Sequence, residues 1–151
     1  MRQFYILLVV LTAVSSYNQL AEYKCKSKLY AQGEIKLSLF NFRMRKLLQK
    51  YLGKLEYTCN MAELAMIYLM QGSTMDSDRM PALVLTVQTG MKQTTPTSLA
   101  DLVVNENRKI IIQERKRLLR MRYFGCGFLR KTYTAQVLCF FTTHNPNSNN
   151  F

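Results

Sequence analysis

The residues of this chain that could do chemistry are few: Cys25, Cys59, Cys126 and Cys139, the single histidine His144, and a basic run at 108–122 reading RKIIIQERKRLLRMR. A cysteine nucleophile needs a nearby base, and His144 stands in a polar tail without the order that a general base requires. The nine carboxylates are scattered, and no pair is placed by spacing into one site. The glycine-rich phosphate loops, the H-E-x-x-H zinc helix and the G-x-S-x-G nucleophile turn are all missing. With no C-x2-C pair, a zinc site has no framework either. The expectation is a non-enzyme with no catalytic residue, cofactor, metal or small-molecule substrate.

What the cysteines do depends on the amino terminus. Arg2 gives it a positive start, Phe4 to Ala13 runs FYILLVVLTA without a charge, and Ala13-Val14-Ser15-Ser16 supplies small residues for cleavage. These are the three parts of a secretory signal peptide, here residues 1–16. The run is shorter than the ~20 apolar residues of a membrane span. Export passes through an oxidising route, where an even number of cysteines reads as disulfides. Four cysteines allow three pairings. One of them closes a local loop between Cys126 and Cys139 and ties the first half through Cys25 and Cys59.

The net charge of +12 excludes an acidic calcium buffer and points to anionic partners. Arg108, Lys109, Arg115, Lys116, Arg117 and Arg122 are the candidates for such contact, on an anionic membrane surface or with the nuclear import machinery. Lys116-Arg117 is also a dibasic site, and cleavage there would release a cationic signalling peptide from a precursor. Within the run, Arg117-Leu118-Leu119-Arg120 reads RLLR. Together with the opening MRQFYILLVVLTAVSS, it resembles the oomycete RxLR effectors, proteins that plant pathogens secrete into host cells. Ser73 to Gly90 also looks like the polar leader of that family. The resemblance implies delivery into a host cell, with Arg117, Leu118, Leu119 and Arg120 as the translocation or processing motif. It further implies suppression of plant immunity or cell death by binding a host protein inside the host cell, and the basic run makes the host nucleus one candidate compartment. No acidic run follows RLLR and the chain has no Trp, so the folded part implied by the resemblance lies upstream, in residues 20–72.

These residues must be positioned by something. A chain of 151 residues, 48% of them hydrophobic, can bury a single core and is no disordered polyelectrolyte. From Ile35 to Leu55, the residues Leu37, Phe40, Met44, Leu47, Leu48, Tyr51 and Leu55 recur at steps of three and four, which predicts a helix with a basic outer side. That helix is also the basis for a third reading, a membrane-active defence protein. Asn60 with Glu63 suggests a capping box before a buried helix Met61–Gln71, stopped at Gly72. Residues 73–97 read as a polar linker with a possible short strand at 82–87. Ser98 offers an N-cap, and Leu99 to Phe124 runs without Pro or Gly, which predicts one basic helix over 98–124. Gly125 and Gly127 around Cys126 suggest a turn. Residues 132–142 suggest a strand, and 144–151 a disordered tail. The fold expected is mainly α and of low regularity: a small helical region at 17–72, the linker, the basic helix and a Cys-containing segment at 125–151.

Overall fold

The computed structural model describes residues 34–72, 80–90 and 94–146. The signal peptide at 1–16, Cys25 and the end of the tail lie outside the described residues. Eight elements follow in chain order: helix α1 (Glu34–Leu52), strand β1 (Glu56–Tyr57), helix α2 (Cys59–Gln71), strand β2 (Ala82–Gln88), helix α3 (Pro96–Glu106), helix α4 (Arg108–Leu118), strand β3 (Tyr123–Arg130) and strand β4 (Thr134–Thr142). The strands form one sheet in the order β1-β3-β4-β2, parallel between β1 and β3 and antiparallel elsewhere.

The fold is therefore α/β, which corrects the mainly α expectation. The reason lies at Gly125 and Gly127. They are not a turn but the middle of β3, and with β4 they form a full-length hairpin. Alternation along the strands then sorts the side chains into two layers. Phe124, Cys126, Leu83, Leu85, Val87, Ala135, Val137, Cys139 and Phe141 join one core with α1, α3 and α4. Leu138 and Phe140 face the other way and pack with Met61 and Ala65 of α2. On that second face the middle of β3 offers two glycines, with Tyr123 and Leu129 on either side of them. A Cβ on Gly125 would stand 2.2 Å from the Ala62 backbone nitrogen, and one on Gly127 would stand 2.8 Å from that of Met66. The missing side chains are what let α2 lie against the strand.

The principal core draws on residues from Phe40 to Phe141, so the folded part is not confined to 20–72. The stretch read as a polar linker contains β2, one of the two outer strands of the sheet. The apolar stripe of α1 is found as the periodicity predicts: Leu37, Phe40, Met44, Leu47 and Leu48 are all buried, and Leu55 is buried just beyond the helix. The stripe on which the membrane-active reading rests is thus taken up in the core.

Two helix starts differ from expectation. α2 begins at Cys59 with Thr58 in the cap position, which places Asn60 inside the first turn. Gly72 stops it in the left-handed conformation, as its position suggests. α3 is capped by Thr95, whose hydroxyl accepts from the Ser98 N–H at 3.1 Å, with Pro96 opening the helix. Ser98 is thus the capped residue and not the cap.

The single helix expected over 98–124 is two. They meet at Asn107, where the backbone leaves helical geometry. Its buried side-chain amide donates to Val103 O at 2.9 Å and to Thr86 O of β2 at 3.1 Å. A polar side chain that can satisfy a strand carbonyl here offsets the lost helical continuity.

Candidate functional site

Helix α4 buries only Ile111 and Leu118. Most of its remaining surface faces outward, and it is strongly basic. Arg108, Lys109, Arg115 and Lys116 are exposed, as are Arg120 and Arg122 beyond its end. Arg108 lies over the ring of Tyr51 from α1, 6.0 Å from its centroid. Two ion pairs form among the described residues: Arg43 with Asp101 at 2.8 Å, and Arg117 with Glu114 at 2.7 Å. Among the described residues no carboxylate pairs with the other α4 cations, which are exposed.

The RLLR residues are divided by the fold. Arg117 donates through Nη2 to Ala82 O of β2 at 2.9 Å while its Nε holds Glu114. Leu118 is fully buried in the core. Leu119 and Arg120 are exposed in the turn after α4, and Leu119 is 47% exposed. The bond after Arg117, the predicted precursor cleavage point, therefore lies in the last turn of a packed helix. Of the six basic residues singled out in the sequence, Arg108, Lys109, Arg115 and Lys116 share the open surface. Arg117 is turned toward β2, and Arg122 leads into β3, its N–H bonded to Thr142 O.

The cysteines among the described residues are oxidised. Cys126 and Cys139 are direct cross-strand partners in the hairpin, with Cα atoms 4.0 Å apart and a disulfide between them. Cys59, at the start of α2, is disulfide-bonded as well, and its partner lies outside the described residues. His144 is exposed, with Nδ1 2.9 Å from Thr143 Oγ1.

Sequence reasoning missed Asn41. It is fully buried and faces the outer edge of β3, where β1 has ended. Its amide nitrogen donates to Cys126 O at 2.9 Å and its amide oxygen accepts from Cys126 N–H at 2.8 Å. One side chain thereby replaces a strand, and Nδ2 also reaches Leu37 O of its own helix. The available signal was a polar residue on the buried side of an otherwise apolar stripe. Ile112 was missed too, because it falls off the stripe that packs the helix, and Leu119 was singled out only as part of RLLR.

A hollow of about 220 Å³ lies where α1, α3 and β3 meet, lined by Lys36, Thr94, Pro96, Leu99, Phe128 and Arg130. Arg130 donates to Thr94 Oγ1 across it. Among the described residues that line it there is no carboxylate, imidazole or thiol. Among the described residues, no group of three or more His, Cys, Asp or Glu could hold a metal ion. No helix among them is long and apolar enough to cross a membrane.

No protein-family model matches the chain, and no curated protein matches it. Solved structures do. Manganese-bound Ac-ASP-7 superposes with a TM-score of 0.55 at 10% identity, over 85% of this chain and 80% of that one. The likeness is one of fold. Hookworm platelet inhibitor aligns over 82% of this chain and 76% of its own, at 12% identity and a TM-score of 0.42.

Proposed function

We propose that the protein is exported and acts by binding another macromolecule through its basic surface, without catalysis of its own. The observation that carries this reading is the state of the cysteines: all those among the described residues are in disulfides. Such bonds persist in oxidising compartments and outside the cell. That agrees with a cleaved leader at 1–16. The unpaired cations of α4 give the contact surface its sign. The manganese of Ac-ASP-7 forms no part of this reading, since the described residues offer no ligand cluster.

The test is recovery of the native protein from its producer. Culture medium should contain a chain beginning at Ser16 or Tyr17, with no thiol available to alkylation before reduction. A cytosolic chain that keeps Met1 or Arg2 would end the proposal.

Delivery into a plant host cell and suppression of immunity are the narrower form, supported by the RLLR resemblance. Expression of the mature chain in plant cells should lower elicitor-triggered cell death, and Arg120→Ala should weaken delivery of protein supplied from outside. Arg120 is the better choice than Arg117, because Arg117 also holds β2.

A further inference from the structure

We infer that the outer face of α4 docks on anionic lipid bilayers. This deepens the reading above and rests on it. The face is built from two rows. Arg108, Ile112, Arg115 and Leu119 follow each other at steps of four, three and four along one flank. Lys109, Lys116 and Arg120 follow at steps of seven and four beside them. Leu119 is in the right-handed helical conformation, so the first row continues one residue past the helix, and Arg120 is exposed in the turn that follows. No carboxylate interrupts either row, because Glu114 sits on the opposite flank with Arg117.

Charge alone would suit any polyanion. The apolar pair decides between them. Ile112 is 48% exposed and Leu119 47%, two turns apart and between the cations. A sulfated or phosphorylated polymer gains nothing from such side chains. A bilayer uses both: its head groups meet the cations, and its acyl boundary takes the apolar atoms. Neither residue is needed to pack the helix, since Ile111 and Leu118 do that.

The experiment is sedimentation of the exported, disulfide-bonded protein with vesicles, beside its retention on heparin. Vesicles of phosphatidylcholine with phosphatidylglycerol should bind it at low salt, and phosphatidylcholine alone should not. Each basic residue near a charged surface strengthens partitioning about fivefold, so Lys109→Gln with Lys116→Gln should weaken vesicle binding about 25-fold. Ile112→Ser with Leu119→Ser should weaken vesicle binding at least tenfold or so while leaving heparin retention unchanged. Vesicle binding unaffected by the apolar substitutions, or no binding by the parent protein at low salt, overturns the inference. A second measurement needs no variant: hydrogen exchange on vesicles should slow in residues 108–120. Slowing elsewhere and not there also overturns it. Failure here in a protein that is exported and processed removes only the bilayer. Retention in the producer's cytosol removes the export reading whatever the vesicles show.

Discussion

Asn41 and Gly125 are the two residues whose replacement separates the forces in this fold. Asn41 satisfies both backbone groups of Cys126 at a position where no strand reaches. Asn41→Ala leaves a buried N–H and a buried C=O without partners, and each costs about 1–3 kcal/mol. The loss expected is about 3 kcal/mol, read from the urea midpoint with an unchanged slope. Gly125 works by absence. A methyl group there meets the backbone of Ala62, and helix backbone cannot turn aside as a side chain can. Gly125→Ala should cost about 3 kcal/mol by overpacking, and Gly127→Ala less, because its nearest contact is looser. Equal midpoints for the two variants would mean that α2 does not rest on β3 through this pair.

At the scale of elements, the α3–α4 break and the α3 cap explain what was and was not legible in the sequence. Periodicity placed α1 to within a few residues, because an amphipathic stripe is a local signal. An apolar patch marked most of β2, and a run rich in Thr, Tyr, Val and Phe marked most of β4; both are local signals as well. Three things were hidden because they depend on a distant partner. Gly125 and Gly127 read as a turn until α2 is there to demand small residues. Asn107 looks like one more polar helix residue until Thr86 O lies beside it. The outward row of α4 cannot be told from its inward stripe while the sheet is unknown. The cap is the simplest to test. Thr95→Ala removes the acceptor for the Ser98 N–H and should cost about 1 kcal/mol. Asn107→Ala should cost more, because the Thr86 carbonyl of β2 loses its donor across the helix–strand contact, while Val103 O keeps the backbone N–H of residue 107. Thermal melts of the two variants give the order. Both outer edges of the sheet are held by side chains: Asn41 beyond β1, and Asn107 with Arg117 along β2. Such cover keeps an edge strand from pairing with other chains.

The described residues form a sheet between two helical layers, and the Cys126–Cys139 bond lies in the middle layer on the side of α1. Both cysteines are fully buried. A reductant can reach the sulfurs only after α1 leaves the sheet, and α1 carries the Asn41 contact and the largest part of the core. Opening here is therefore close to global unfolding. Dithiothreitol in native buffer should reduce this bridge slowly, and much faster near the urea midpoint; alkylation followed by peptide mass analysis reads the fraction. The bridge closes a loop of sequence separation 13, for which chain entropy gives about 3 kcal/mol, so Cys126→Ala with Cys139→Ala should lower stability by about that amount. The link to Asn41 makes the test sharper. Asn41→Ala raises the open population by its own loss of stability, about 3 kcal/mol or two powers of ten. Native-state reduction should then accelerate by a similar factor. An unchanged rate in that variant would mean that the disulfide is reached by a local route, with α1 still in place.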